Sequence, residues 1–159
     1  MRVLGIDPGS RVTGYGIVDK AERGLHCAFY QEIRPARGVG LSAALLTVYS
    51  GITEAINQFH PEIMAIEDIF YGKNVQSLIK QGHVRGVAVL AAAQAGLEIF
   101  EYSPLEIKKA VSGYGFAEKK QVQVMVKNIL KLVELPPSDA ADALAAAICH
   151  IHFLKTEQV

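Results

Sequence analysis

The stretch Val3-Leu4-Gly5-Ile6-Asp7-Pro8-Gly9-Ser10 decides how the rest of this chain is interpreted. Its apolar residues predict a β-strand over residues 2–7, which ends on Asp7 just before a Pro-Gly turn. A second strand is predicted over 13–20, so Asp7 is expected at the tip of a strand in the middle of a sheet. A carboxylate there is costly to desolvate unless a cation or a hydrogen-bond donor meets it. The alternative is a turn-forming aspartate without a further role.

The length and composition favour a globular protein. The chain has 159 residues, of which 50% are hydrophobic, and we expect a single domain over residues 1–159. No apolar run reaches the ~20 residues that span a bilayer, and Asp7 interrupts the apolar run at the N-terminus. The two cysteines, Cys27 and Cys149, are far apart and are expected to stay reduced. We therefore expect a cytoplasmic protein that does not contact a membrane.

Charge is unevenly distributed along the chain, although its 16 basic and 16 acidic residues cancel. Residues 70–131 hold nine basic and four acidic residues, which gives this block a net charge of +5. The basic residues are Lys73, Lys80, Arg85, Lys108, Lys109, Lys119, Lys120, Lys127 and Lys131. Solvated helix surfaces commonly show such a bias, and a phosphate backbone would be attracted by the same charges.

Periodicity and breaker residues predict the other elements. They are a strand over 24–34 in a hairpin with the second strand, helices over 39–59, 74–95, 103–113, 118–134 and 138–154, and strands over 62–67 and 97–102. This order predicts a mixed sheet with helices on its faces. Within the helix over 74–95, Gly82 and Gly86 each cost ~1 kcal/mol, which indicates close packing against the sheet or against a second copy of the chain.

Four carboxylates stand where this topology would gather them. Asp7 and Glu67 each end a strand, whereas Asp139 and Asp142 share one face at the start of the last helix. Capping of the helix is the alternative explanation for the two aspartates. Converging carboxylates repel one another unless a hard cation such as Mg²⁺ binds them. Two such ions can promote hydrolysis of a phosphodiester.

Taken together and in order, these motifs resemble the bacterial RuvC Holliday-junction resolvases. The matching stretches are Leu4 to Gly9 followed by Thr13 to Gly16, Ile66-Glu67, Phe70 to Asn74, and Asp139 to Ala145. The resemblance runs from Met1 to about Phe153. It implies an RNase H-like α/β fold, in which a mixed five-stranded sheet is flanked by helices, and a homodimer. It also implies paired, symmetric, Mg²⁺-dependent nicking of four-way DNA junctions in recombination and repair, leaving 5′-phosphate and 3′-hydroxyl ends.

The resemblance assigns the metal ligands and the partners. The ligands would be Asp7, Glu67, Asp139 and Asp142, holding two Mg²⁺ ions, for which Mn²⁺ is a candidate substitute. Asp68 competes with Glu67 for this role. Strand alternation points the two to opposite faces, and the resemblance selects Glu67. The expected protein partners are the branch-migration proteins RuvA and RuvB.

Basic and aromatic residues complete the expected site. The resemblance assigns catalytic roles to Lys108 and Lys119, but each has a lysine neighbour, so the register stays open. Such a lysine could hold the scissile phosphate or stabilise charge in the transition state.

The expected DNA contacts are Phe70, Lys73, Arg85, Lys109 and Lys120. Phe70 is expected to stack on an unpaired base, and a place in the core is the alternative for it and for Tyr71. The family often has Gln-Ala where this chain has His83-Val84. This difference bears on the contacts around these two residues and not on the catalytic acids.

Three other functions are compatible with parts of the pattern. Actin-like and sugar-kinase ATPases also begin with a Gly-Ile-Asp strand, but they need two such domains to enclose a nucleotide. A ribosomal-RNA-processing nuclease of related fold would prefer RNA to junction DNA. A DNA-binding module whose acids only cap helices would bind DNA without nicking it.

Overall fold

The computed structural model describes residues 1–69 and 74–156, with only the backbone of residues 155 and 156. The strands are β1 (Arg2–Asp7), β2 (Thr13–Ala21), β3 (Gly24–Ile33), β4 (Ile63–Glu67) and β5 (Glu98–Tyr102). The helices are α1 (Leu41–Phe59), α2 (Val75–Gln94), α3 (Pro104–Ser112), α4 (Lys119–Leu130) and α5 (Ser138–Thr156). The predicted order of elements is confirmed.

The strands form one mixed sheet in the order β3-β2-β1-β4-β5. β2 is antiparallel to both β1 and β3, whereas β4 is parallel to β1 and β5. The predicted hairpin of the second and third strands and the predicted mixed sheet are therefore confirmed. Because β1 is the middle strand, Asp7 lies at the centre of one sheet edge, as the opening stretch predicts.

Helices cover both faces of the sheet, and strand alternation divides the core between them. Leu4 and Ile6 of β1 point to the face covered by α1 and α2, where they pack with Ile52 and Val84. Val3 points to the opposite face, which is covered by α3, α4 and α5. All these side chains are 5% exposed or less, so each face has its own hydrophobic core.

Helix α5 lies unusually close to β1 and β2. A Cβ atom added to Gly5 would lie 1.9 Å from the carbonyl oxygen of Ala143, and one added to Gly14 would lie 1.9 Å from that of Asp139. Real Cβ atoms do not approach so closely, so only glycine fits at these two positions. The small residues on the helix side, such as Ala140 and Ala147, are fully buried. These small residues allow the alanine-rich helix to contact the sheet closely.

Helix α3 begins as its sequence predicts. The Ser103 hydroxyl accepts a hydrogen bond from the Glu106 backbone N–H at 3.3 Å, and the Glu106 carboxylate accepts one from the Ser103 backbone N–H at 2.8 Å. Pro104 occupies the first helical position, where its missing N–H is harmless. This capping box fixes where α3 leaves β5, and so fixes the position of Lys108.

The predicted end of the basic helix at residue 134 is wrong, because α4 ends at Leu130. Lys131 adopts the left-handed conformation with φ 54°, and the N–H of Leu132 donates to the carbonyl of Lys127 at 2.9 Å. Leu132 then packs against the core, which is the usual hydrophobic contact of such a helix end. The helix therefore closes before Pro136 can interrupt it.

None of the helices in the described ranges is both long enough and apolar enough to cross a membrane.

Candidate active site

Two strands and one helix bring four carboxyl groups to the same edge of the sheet. Ile6 of β1 pairs with Ile66 of β4 in parallel register, so the next residues, Asp7 and Glu67, leave the sheet side by side. Gly14, the partner of Asp7 across β1 and β2, lies under the backbone of Asp139. One carboxylate oxygen each of Asp7, Asp139 and Asp142 lies within 4.8 Å of the other two. The predicted convergence of these three aspartates is therefore present in the structure.

Burial and mutual repulsion raise the pKa values of three of these acids, Asp7, Glu67 and Asp142. Desolvation, followed by the charges of Glu67 and Asp142, raises the pKa of Asp7 well above its ordinary value. Desolvation also raises the pKa of Glu67, and a hydrogen bond with Asp7 partly opposes this rise. The pKa of Asp142 is raised by burial and is lowered less strongly by the charge of Lys119. Ionisation of these acids is therefore unfavourable in the metal-free site, and a bound cation would relieve this cost.

We expect the metal-free protein to gain stability when Asp7 is replaced by asparagine. A raised carboxyl pKa favours folding below the ordinary pKa of about 4, and this contribution is lost as the pH rises through the elevated value. The asparagine side chain would stay neutral throughout, so in EDTA at pH 7.5 the variant should melt a few degrees above the wild type, at about 2–4 °C per kcal/mol. The difference should vanish near pH 4.

Thermal denaturation followed by circular dichroism at both pH values measures this effect. Glu22→Gln is the matched control, because Glu22 is an exposed turn residue at the opposite sheet edge and should show no such gain. An Asp7→Asn variant that melts below the wild type at pH 7.5 in EDTA would contradict the prediction.

Lys119 and Lys108 lie beside the acids. The Lys119 ammonium lies 3.3 Å from a carboxylate oxygen of Asp142 and 3.7 Å from one of Asp139. Burial lowers the pKa of Lys119, but the charges of these two aspartates raise it to a value above the ordinary one. Lys108 lines, with Glu67, Lys119 and Asp142, a cavity of about 220 Å³. Both lysines can therefore face an anionic group that enters the site.

The neighbouring lysines lie elsewhere. Lys109 lines a separate cavity with His152, and Lys120 is an exposed residue of α4. The geometry thus favours Lys108 and Lys119 over their neighbours for the role at the carboxylates. Phe70, Tyr71 and Lys73 lie outside the described residues, so their predicted roles stay predictions.

Arg85, a predicted DNA contact, is engaged within the protein. Its guanidinium donates to the backbone carbonyl of Glu67 at 3.4 Å and forms ion pairs with Asp68, at 3.5 Å, and with Glu101. The side chain is only 17% exposed. These contacts join α2 to the ends of β4 and β5, so we interpret Arg85 as a residue that holds the exit of β4 in place. They also give Asp68 a role apart from the acid cluster.

The structure adds one residue that the sequence did not indicate. The carboxylate of Glu32, near the end of β3, accepts a hydrogen bond from the backbone N–H of Asp139 at 3.3 Å and pairs with Arg34. Its side chain is 10% exposed, and 107 residues separate the two partners of the hydrogen bond. Glu32 thereby satisfies a free N–H at the start of α5. No local pattern distinguishes it from other strand residues, so sequence reasoning could not have found it.

The donor set suits a hard divalent cation. The candidate ligands are all carboxylate oxygens, which Mg²⁺ and Mn²⁺ prefer, whereas imidazole and thiolate ligands suit softer metals. Ligand atoms of Asp7, Asp139 and Asp142 lie within 4.8 Å of one another, and burial together with the neighbouring acids raises the pKa of Asp7. The residues present therefore fit the ion that the sequence predicts.

Comparisons with known proteins agree with this geometry. Residues 3–150 match the family model described as crossover junction endodeoxyribonuclease RuvC. The RuvC protein of Caldanaerobacter subterraneus subsp. tengcongensis is 50% identical over 96% of this chain and 93% of its own length. That of Legionella pneumophila is 51% identical over 94% and 86%. The solved structure of Thermus thermophilus RuvC in complex with a Holliday junction substrate superposes with a TM-score of 0.91 at 31% identity, covering 99% of this chain and 96% of that one. The predicted RNase H-like fold is confirmed by this likeness.

Proposed function

Because the chain belongs to the RuvC family of crossover junction endodeoxyribonucleases, we propose that it is the endonuclease that resolves four-way DNA junctions. The observation that carries the proposal is the meeting of Asp7, Asp139 and Asp142 at one sheet edge, beside Lys119. Cleavage would be hydrolysis of a phosphodiester, in two symmetric cuts that leave 5′-phosphate and 3′-hydroxyl ends. The domain that carries this activity would be residues 1–159.

Each residue of the site has a proposed task. Asp7, Glu67, Asp139 and Asp142 would hold two Mg²⁺ ions, with Mn²⁺ as a substitute. When bound, such ions lower the pKa of a water molecule and neutralise charge on the phosphate. Lys108 would donate hydrogen bonds to a non-bridging oxygen of the scissile phosphate from the wall of the cavity that it shares with Glu67. Lys119 would keep Asp142 ionised and in place through their ion pair at 3.3 Å.

A synthetic four-way junction with labelled strands tests the function. With Mg²⁺, the protein should nick two opposite strands at symmetric positions, and DNA ligase should reseal the products without prior phosphorylation. EDTA should abolish nicking. Equal rates on linear duplex, or preferential cleavage of a structured RNA, would contradict the proposal, as would nicking that persists in EDTA.

Lys108 and Lys109 form a matched pair for testing the register. We expect Lys108→Ala to lower the single-turnover nicking rate by about 10²–10³-fold, which is the usual effect of removing one donor that stabilises transition-state charge. Lys109→Ala should change the rate by less than about threefold, because this side chain faces another cavity. Equal losses in the two variants would contradict the assignment.

We also propose a homodimer that pairs through α2. Three of its large apolar side chains are exposed by half or more: Val75 by 56%, Ile79 by 55% and Leu90 by 52%. With Gly82 and Gly86, these residues recur every three or four positions and so form one stripe along the helix. No atom lies within 4 Å of a Cβ built on Gly86, so this glycine does not serve packing within the described chain. A second α2 could approach closely along this stripe, and two related sites would supply two matched cuts.

Ile79→Glu is expected to shift the protein toward the monomer, because a buried charge without a partner would oppose helix pairing. Sedimentation velocity at micromolar concentration should show a dimer for the wild type and at least about a tenfold rise in the dissociation constant for the variant. Val133→Glu, at an exposed position in the loop that follows α4, is the control and should remain dimeric. A wild-type monomer at that concentration would contradict the proposal.

Further partners are proposed from the family resemblance. These are the branch-migration proteins RuvA and RuvB, assembled with the same junction, and the proposed location is the cytoplasm, where bacterial DNA recombines. Co-elution of the chain with RuvA, RuvB and a four-way junction in gel filtration tests the assembly. Elution apart from a stable RuvA–RuvB–junction complex would contradict it.

A further inference from the structure

A cavity outside the carboxylate site is lined by four cationic side chains. Its volume is about 890 Å³, and its walls are the β1–β2 loop, residues 34–39 between β3 and α1, and single residues of α1 and α2. The cations are Arg11, Arg34, Arg37 and Lys80. No acidic residue is among the described residues that line it. We call this cavity the basic groove.

Most of the positive charge in the basic groove is not neutralised by the protein. Arg34 pairs with Glu32, but no ion pair of the described residues includes Arg11, Arg37 or Lys80. All four cationic side chains lie on exposed residues. Like charges gathered around one cavity repel one another, so a bound anion would stabilise the groove more than a neutral ligand would.

Helix α1 adds to the positive field. Its N-cap residue, Gly40, offers no side chain to the first N–H groups, and its first turn contains no acidic residue. The helix therefore begins beside the groove with its N–H groups open to an acceptor and with the positive end of its dipole exposed. An anion in the groove would be met by both the guanidinium groups and the helix end.

The side chains that line the basic groove suit the phosphodiester groups of DNA better than its bases. None of the described residues that line the groove is aromatic, so this part of the chain offers it no stacking surface of the kind that holds unpaired bases. Arginine and lysine side chains on a surface of this kind typically bind DNA phosphates without reading sequence. The chemistry of the groove therefore matches the backbone of a duplex arm.

The groove is also near the acid cluster at which the proposed cleavage would occur. Arg11 follows Asp7 by four residues, and a fully extended chain of that length spans at most about 14 Å. DNA rises 3.4 Å per nucleotide along one strand, so about four nucleotides cover the same distance. We propose that the basic groove binds the phosphate backbone of the junction arm that carries the scissile bond, within about four nucleotides of it. This inference rests on the proposed function, whose substrate it shares.

The salt dependence of junction binding tests the inference. Binding is measured with Asp7→Asn protein in Mg²⁺, so that the junction stays intact, between 50 and 200 mM salt. Removing three phosphate contacts in Arg11→Ala/Arg37→Ala/Lys80→Ala should make the slope of log K against log salt shallower by about 2.7. The single variant Arg37→Ala should make this slope shallower by about 0.9. Arg23→Ala, an exposed arginine in the turn at the opposite sheet edge, is the control and should leave the slope unchanged.

Neutral methylphosphonate linkages then locate the contact. One such linkage is placed within about four nucleotides of the scissile phosphate. It should weaken junction binding by the protein that retains Arg37, whereas the affinity of the Arg37→Ala protein should be the same with and without the linkage. An unchanged salt slope in the triple variant would overturn the inference, and so would coupling confined to distant phosphates. Failure of wild-type protein to nick the junction would instead overturn the proposed function, because the binding slopes do not depend on cleavage.

Discussion

Asp7→Asn should lower junction nicking in Mg²⁺ by more than about 100-fold, while the affinity for the junction changes by less than about threefold. Even the outer partners of a metal site are worth about 10–100-fold, and Asp7 stands at the centre of the acid cluster. The substitution preserves the size of the side chain and leaves the basic surface untouched. Single-turnover cleavage and fluorescence anisotropy measure the two quantities. Nicking at the wild-type rate would remove the metal-site assignment.

The two acids at the end of β4, Glu67 and the following Asp68, provide the matched control for this prediction. Glu67→Gln should match the loss of Asp7→Asn, because the pKa of each residue responds to the other. Asp68→Asn should retain activity within about tenfold, since Asp68 faces Arg85 at 3.5 Å. If Asp68→Asn lost activity while Glu67→Gln retained it, the metal-ligand role would belong to Asp68 and not to Glu67.

Gly14→Ala should damage both the stability and the activity of the protein. The added methyl group would lie 1.9 Å from the carbonyl oxygen of Asp139, so α5 must move away from the sheet. Overpacking of this kind costs about 1–3 kcal/mol and occasionally more. Because the displaced segment carries Asp139 and Asp142, we expect nicking to fall by at least about tenfold in the protein that remains folded. Urea denaturation and single-turnover cleavage measure the two effects.

Gly40→Ala is the control for Gly14→Ala. Apart from its chain neighbours, no described residue lies within 4 Å of a Cβ built on Gly40, and its φ of −68° suits any residue. The cost should stay below about 1 kcal/mol, the usual range for an N-cap substitution. If Gly14→Ala were as stable and active as Gly40→Ala, the close contact between α5 and the sheet would not be required.

Features with a local pattern were predictable from the sequence. The apolar run before Asp7, the capping box at Ser103 and the 3.6-residue periodicity of α1 each reflect interactions between residues near one another in the chain. The convergence of the acids was predictable too, because adjacent parallel strands end at one edge. The family resemblance added the choice of Glu67 over Asp68, for which strand alternation alone gives no preference.

Features that depend on packing between distant segments were not predictable. The end of α4 depends on Leu132 turning into the core, and no breaker residue marks that point. The placement of Arg85 among Glu67, Asp68 and Glu101 depends on how α2 lies across two strands. The four cationic residues of the basic groove come from three parts of the chain, and Arg11, Arg34 and Arg37 lie outside the basic block of residues 70–131.

Helix α5 has a consequence for how the protein is made. It supplies two of the four carboxylates and covers one face of the sheet, yet it comes from residues 138–156. Ribosomes synthesise a chain from its N-terminus at about 5–20 residues per second. A nascent chain that has emerged only to residue 137 carries Asp7 and Glu67 but lacks Asp139, Asp142 and the helix that packs closely against β1 and β2. The polypeptide therefore acquires its ability to cut DNA only after all five strands and the four preceding helices have been synthesised.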